Sequence, residues 1–384
     1  MRKPALLAFG LVVTMIVALG LVVLSSASEV NGIRLHNDAY YFMKRQFAYL
    51  FVGVLVAVAT ALFDYRKWRE HQFLAWAFYA VVFVLLIAVL PFAFGRNVNG
   101  SYRWLNLGPV NVQPSEFAKL ATVIVLSVWL DRVGWRVELF KQGAFWPAVI
   151  LSAMAIPVMR EPDFGSTMVI GLVGFMTMIV AGVRILHMVP FALLGGAALA
   201  YKVCTNANRM ARIAAFLGIK LELGVEVEDV AAERAAFHAR QSLIAIGNGG
   251  VWGVGLNQSM QKHLYLPEAH TDFIFAIGAE ELGLFFSIAV LVLFFAFFAL
   301  AVYIARNASD RLGRFLVMGM TFIIFFQAMF NIGVVCEALP TKGMALPFFS
   351  YGGTNMLSAF FAVGTIISVG IHSSTSRKRK LPNA

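Results

Sequence analysis

Charge is what this sequence has least of. Of its 384 residues, 13% are Asp, Glu, Lys or Arg, while 60% are hydrophobic. An ordinary soluble chain carries about 25% charge. A globule of this length cannot hide so much apolar surface from water, so the soluble and disordered classes are excluded. Cysteine is nearly absent. Cys204 and Cys336 are too few for a disulfide scaffold, an iron–sulfur cluster or a cysteine-type zinc site. As isolated apolar thiols they read as packing residues, with one bridge between them left open. The short alternating segments of a membrane β-barrel are missing too. What the chain does contain is a series of long, continuous apolar runs. The expected fold is all-α, a polytopic membrane protein.

A helix crosses the hydrocarbon core with about 20 apolar residues. Ten stretches qualify: 5–25, 46–63, 73–93, 115–130, 144–159, 164–182, 185–203, 274–304, 312–337 and 351–372. The first follows Met1-Arg2-Lys3 as a signal peptide would, but its apolar run is too long for one and reads as an uncleaved span. Hinges are expected near Arg160-Glu161-Pro162 and Gly182-Val183-Arg184. No internal repeat is visible. With the N-terminus inside, the inner segments hold 16 of the 31 Lys and Arg, and the acidic residues Asp64, Glu70, Asp131, Glu138 and Asp310. The whole formal charge of +11 then lies on the inner side and the outer side balances. That asymmetry predicts cytoplasmic N- and C-termini. The basic tail within 373–384, Arg377-Lys378-Arg379-Lys380, reads as a headgroup anchor, and no nucleic-acid partner is expected. Residues 1–384 form one membrane domain with one large outer loop, 204–273.

That loop is too long for a plain connection and is expected to be functional. It opens polar at Thr205-Asn206-Ala207-Asn208. An acidic stretch from Glu222 to Glu233, expected to be partly helical, follows. The glycine-rich run Ile246–Gly255 comes next. It reads as a flexible surface loop, or less readily as a phosphate cradle, since no strand precedes it.

Ionisable groups at membrane depth are costly, and four clusters of them fall at outer ends of spans. In the first, residues 99–119, Pro114-Ser115-Glu116 marks a helix start. Glu116 and Lys119 share a helix face, as a self-satisfying ion pair or as substrate contacts. Arg103 is a surface anchor or an anion contact. The second, Arg160–Ser166, reads as a turn with Asp163 as N-cap. The third runs from Leu266 to Ala276 and on to Glu280-Glu281-Leu282-Gly283. Asp272 is there either an N-cap or a general base. His270 beside it is a weak candidate metal ligand. The fourth, Glu337–Asn355, has too much Pro and Gly to stay helical, and it brings Lys342 and Ser350 with main-chain groups able to bind a ligand. Together the four describe one polar pocket with cations for an anion and a carboxylate for a proton.

These residues resemble the SEDS family (shape, elongation, division and sporulation) over nearly the whole chain. The resemblance is carried by RWLNLGPVNVQPSEFAKL (103–120), EPDFGSTM (161–168), AIGNGGVWGVGLNQSMQKHLYLPEAHTDFIFAIGAEELG (245–283) and ALPTKGMALPFFSYGGTN (338–355). Pro340-Thr341-Lys342-Gly343 is similar to the division branch rather than the elongation branch; sporulation members share it. Thr354-Asn355 departs from the two small hydroxyl residues usual there.

The resemblance implies a peptidoglycan glycosyltransferase that polymerises lipid II outside the cytoplasmic membrane, extending a lipid-linked glycan chain during cell division. Asp272 matches the family's essential aspartate. Arg103, Glu116, Lys119 and Lys342 match its conserved charged positions, with His270 and Ser350 as further substrate contacts. Implied partners are a class B penicillin-binding protein and other division proteins. A divalent cation, Mg or Mn, would suit the pyrophosphate, although no ligand set demands one. A lipid II flippase is the alternative, and a transporter would place its charges nearer the midplane. A division scaffold is the third reading, with Phe285, Phe294, Phe297, Phe325 and Phe326 as a surface for a single-span partner, or as ordinary lipid-facing and core residues.

Overall fold

The computed structural model describes residues 2–90, 95–98, 101–106, 108, 111–161, 163–205, 210, 213, 216, 226–263, 265–340 and 342–379. The expectations for Asn99, Gly100, Pro162, Asn206 to Asn208, Glu222, Thr341 and Lys380 lie outside them.

Helices α1 (Arg2–His36), α2 (Tyr41–Leu62), α3 (Lys67–Glu70) and α4 (Gln72–Val89) come first. A small antiparallel sheet follows, with β1 (Gly95–Val98), β2 (Ser101–Asn106) and β3 (Asn111–Val112) in that order. Next are α5 (Pro114–Val133), α6 (Trp146–Arg160) with a π-helical lead-in over Phe140–Phe145, α7 (Phe164–Ala181) and α8 (Ile185–Cys204). The chain ends with α9 (Glu226–Gly249), α10 (Ile274–Arg306), α11 (Arg311–Val335) and α12 (Gly353–Arg379).

Among the described residues, nine helices are long and apolar enough to cross a membrane. The tenth expected span is α5, less apolar because it carries Glu116, Lys119 and Asp131. It nonetheless lies in the middle of the bundle, against α4, α6, α7, α11 and α12. α1 continues eleven residues past the expected boundary. Its last turn is polar and basic, with Arg34 and His36, which suits the negative end of a helix dipole. The sheet was not foreseen; its strands are too short to show a period.

At one end of the bundle, Tyr65, 1% exposed, donates to Asp310 at 3.1 Å, and Arg69 lies 3.7 Å from both Asp131 and Asp310. This end ties the α2–α3 turn, α3, α5 and the start of α11 together. Of the aromatic residues read as a partner surface or as lipid-facing and core residues, Phe294 and Phe297 are core and completely buried, Phe325 and Phe326 are half-buried, and Phe285 is exposed.

At the other end, α10 is broken at Gly283 (φ 73°, ψ −162°). A β-carbon on Gly283 would lie 2.4 Å from the Gly253 nitrogen, and one on Gly253 would lie 2.2 Å from the Glu281 carbonyl oxygen. Only two glycines allow this approach. The break frees two carbonyls: Glu280 O accepts from Val254 N and Glu281 O from Gly255 N, both at 3.0 Å. The glycine-rich run is therefore docked on α10 rather than loose, and these amides face protein carbonyls rather than a phosphate.

A buried polar knot lies beside this dock. Lys262 and Glu281, 2% and 1% exposed, pair at 3.5 Å. Lys262 also donates to Ser26 at 2.9 Å, and Ser26 donates to Glu281 at 2.5 Å. Glu280 accepts from the Ser259 hydroxyl and from Gln261 N. The knot joins α1, the 250–263 segment and α10. Lys262→Met leaves Glu281 buried without its cation and is expected to lower stability by about 3–5 kcal/mol. Thermal unfolding in detergent measures this, and adding Glu281→Met should restore most of the loss.

Candidate active site

Segment 266–273 leads into α10. The N-cap of that helix is Phe273, whose side chain makes no cap hydrogen bond, so Asp272 sits one residue ahead of the capping position. The Asp272 main chain is held from two directions. Its N–H donates to Glu268 O at 3.1 Å, and its carbonyl accepts from Asn331 Nδ2 at 2.7 Å. The preceding carbonyls are held likewise, His270 O by Tyr351 N at 3.0 Å and Thr271 O by the Ser350 hydroxyl at 2.5 Å. The carboxylate rests against Gly343, where a β-carbon would lie 2.5 Å from Asp272 Oδ2. The third and fourth clusters thus meet, with Lys342 half-buried beside the contact.

Two expected substrate contacts find other employment or a defined state here. Ser350 is 1% exposed; its hydroxyl accepts from Leu346 N at 2.7 Å while donating to Thr271. It is a clamp within the protein, because a reversing loop in an apolar bundle must satisfy its own amides. His270 has Nδ1 3.2 Å from Asn31 Nδ2 and packs on Phe42, ring centroids 4.7 Å apart. Burial lowers its pKa, with Glu268 opposing. The ring is therefore neutral at pH 7, and the Asn31 donor assigns the proton to Nε2.

The first and second clusters also converge. Asp163 is the N-cap of α7, accepting from Ser166 N at 3.1 Å and from the Ser166 hydroxyl at 2.8 Å. It further accepts from Ser115 and Gln113 at the start of α5, each at 3.1 Å. Burial alone would raise its pKa, but Arg103, the Ser166 donors and Lys119 outweigh this and hold it low. Arg103, on β2, donates from Nε to the Glu161 carbonyl at 3.3 Å. The Glu161 side chain is completely buried, and neither carboxyl oxygen has a hydrogen-bond partner among the described residues. Burial first, and then Asp163, push its pKa up to about 9 against the opposing pull of Arg103. It is a neutral acid at pH 7. Met344 packs on Gly165, where a β-carbon would lie 2.8 Å from Met344 Cγ. This contact brings the second cluster against the fourth.

Glu116 and Lys119, read as an ion pair or as substrate contacts, turn toward protein partners. They pair at 2.7 Å with side-chain exposures of 8% and 2%. Lys119 also donates to Gln327 at 2.7 Å, and Glu116 accepts from Ser358 at 2.9 Å. Gln327 donates to Ala345 O and to Asn355 Oδ1, each at 3.1 Å. At this depth a charge pair persists only when its remaining lone pairs and protons are satisfied. Asn355, the departure from the family pattern, supplies part of that network. Gln327 and Asn331 were missed by sequence reading. The available signal was two amides four residues apart in an apolar span, on one helix face.

Among the described residues, no three His, Cys, Asp or Glu side chains converge as metal ligands, so no step is assigned to a cation.

Two outcomes follow from this geometry. Gly343→Ala drives a methyl group into the Asp272 carboxylate. The glycan polymerisation that the family resemblance implies should fall at least about 10-fold, the size of effect expected of a small misplacement in a catalytic constellation, while the melting temperature stays near wild type. The raised pKa of Glu161 means that the folded protein keeps a proton the unfolded chain releases. Stability is therefore lost as pH climbs from the ordinary carboxyl value of 4.5 toward 9. Glu161→Gln should remove that slope: in thermal unfolding it melts above wild type at alkaline pH and converges with it in acid.

The family model described as cell cycle protein, FtsW/RodA/SpoVE, matches residues 6–375. The chain is 36% identical over 377 residues to the probable peptidoglycan glycosyltransferase FtsW of Trichlorobacter lovleyi, covering 96% of this chain and 95% of that one. It is 36% identical over 365 residues to the stage V sporulation protein E of Bacillus subtilis, covering 94% and 96%. In fold it is similar to a chain of a peptidoglycan synthase complex in which polymerization and crosslinking are coordinated, with TM-score 0.70, 24% identity and coverage of 95% and 97%. Matched along almost its full length, and carrying the motifs whose residues meet at one end of the bundle, the chain belongs to the FtsW/RodA/SpoVE (SEDS) family.

Proposed function

We propose that this protein is a peptidoglycan glycosyltransferase that polymerises lipid II at the outer face of the cytoplasmic membrane during cell division. The observation that carries the reading is the Asp272 carboxylate, one residue ahead of the helix N-cap and seated against Gly343 where the family motifs converge. In the proposed reaction the acceptor's 4-hydroxyl oxygen forms a bond to the anomeric carbon of the lipid-linked chain. The bond from that carbon to the pyrophosphate oxygen breaks with inversion, and undecaprenyl pyrophosphate leaves. Asp272 takes the hydroxyl proton as general base, since a sugar hydroxyl is a poor nucleophile until deprotonated. The departing pyrophosphate needs cations rather than an acid, and Arg103 and Lys342 are assigned to it. Neutral Glu161 beside Arg103 leaves that cation less compensated than an ionised glutamate would. His270 is assigned a hydrogen bond from Nε2 to substrate. Glu116 and Lys119 serve by holding α5 to α11 and α12.

The positive-inside asymmetry supports placing this end of the bundle outside, with both termini cytoplasmic. Exposed Leu284, Phe285 and Ile288 on α10 form an apolar strip suited to the single span of a class B penicillin-binding protein. Other division proteins are expected to join that pair.

Purified protein with that transpeptidase and lipid II tests the assignment. Asp272→Asn should lose polymerisation by about 100- to 10,000-fold, the worth of a positioned general base, with unchanged melting. A wild-type rate in Asp272→Asn would sink it. Transfer of labelled lipid II across vesicles without polymerisation by the wild type would favour the flippase.

A further inference from the structure

Helix α11 presents two buried amides, Gln327 and Asn331, one turn apart and 4% and 2% exposed. They reach successive carbonyls of the fourth cluster. Gln327 Nε2 binds Ala345 O at 3.1 Å, and Asn331 Nδ2 binds Met344 O at 2.6 Å. Asn331 alone also reaches the third cluster, at Asp272 O, 2.7 Å away. Its orientation is unambiguous: the amide nitrogen has two hydrogens and faces two carbonyls, whereas a flipped amide would set oxygen against oxygen twice. The Oδ1 atom is buried without a hydrogen-bond partner among the described residues, so the side chain is held for its donors.

The three carbonyls from His270 to Asp272 are each tied to another part of the chain. The first two are tied by the 350–351 turn itself. Only the third, that of Asp272, depends on a side chain from α11. The same amide fixes Met344 O, one residue from Gly343, on which the carboxylate rests. The spacing between the Asp272 main chain and the surface supporting its side chain is thus set by one planar group of two N–H bonds.

We infer that Asn331 is a positioning residue for Asp272: its amide spans the segment that carries the carboxylate and the loop that supports it, and so aims the carboxylate without touching substrate. The inference rests on Asp272 being the general base. Because Asn331 acts through geometry, its loss should appear in turnover rather than substrate binding. Because Gly343→Ala disturbs the same carboxylate, the two changes should not multiply.

The test uses the full chain with its transpeptidase partner and lipid II. Asn331→Leu keeps the approximate shape and removes both donors; Asn331→Ala removes them without bulk. Each should lower kcat about 10- to 100-fold, as misplacement in a catalytic constellation does, with KM within about threefold. Asn331→Leu combined with Gly343→Ala should lose no more than about threefold beyond the worse single variant, since contacting residues that act on one group are non-additive. Thermal unfolding in detergent selects the variants that fold, and either one suffices. A folded Asn331 variant with wild-type kcat overturns the inference, as does a raised KM at unchanged kcat or a double variant losing the product of both single effects. Asp272→Asn in the same assay separates the two readings. Full activity there removes the base itself. An inactive Asp272→Asn beside a fully active Asn331→Leu removes only the role of Asn331.

Discussion

A main-chain carbonyl that leaves helical geometry inside an apolar bundle has no water to turn to and must find its donor within the protein. That constraint organises the polar end of this molecule. Residues 270–272 and 342–352 are both non-helical, and each supplies what the other lacks: Tyr351 N for His270, the Ser350 hydroxyl for Thr271, and Asn331 for Asp272 and Met344 together. The position of the Asp272 carboxylate is a by-product of satisfying those carbonyls. It is anchored deeper still, since Gln327, one turn from Asn331, carries the network to Lys119 on α5, and Glu116 passes it to α12.

The buried charges divide by task. Glu116 with Lys119, and Glu281 with Lys262, hold helices together, and their cations turn inward to protein oxygens. Asp163 caps α7 and reaches across to α5. Glu161 differs in keeping its proton. A neutral acid beside Arg103 and Asp163 lowers the negative charge of the end to which a pyrophosphate is assigned. Charges that assemble the bundle and charges assigned to a ligand are therefore different sets, although, Lys262 apart, the sequence presents them in the same four clusters.

Hydropathy and motif spacing made much of this legible. The ten spans are present within a few residues, with departures where a helix outran its apolar stretch, as α1 does, or where strands were too short to show a period. The N-cap role of Asp163 was readable because capping is local, involving a residue and the turn after it. Ser350 read as a ligand contact, and Glu116 with Lys119 as an ion pair or substrate contacts, because whether a polar group meets substrate or protein depends on neighbours far along the chain: Glu116 on Ser358, Lys119 on Gln327 and Ser350 on Thr271, which are 242, 208 and 79 residues apart. Asn331 and Gln327 carry no charge and belong to no quoted motif; only their spacing of one helical turn in an apolar span marked them.

By itself the sequence determined that the chain is a helical membrane protein, which residues are costly enough to need a reason, and which family its motifs resemble. Composition and apolar run length decide the first two and the quoted motifs carry the third, and all of them are properties of the chain before it folds. Only the tertiary structure decided which costly residues answer to one another. It set the Asp272 carboxylate against Gly343, docked the glycine-rich run on the break in α10, and closed Glu116 and Lys119 into the core. Hydrogen-bond satisfaction in an apolar interior is settled between segments distant in sequence, and no local pattern records the partner.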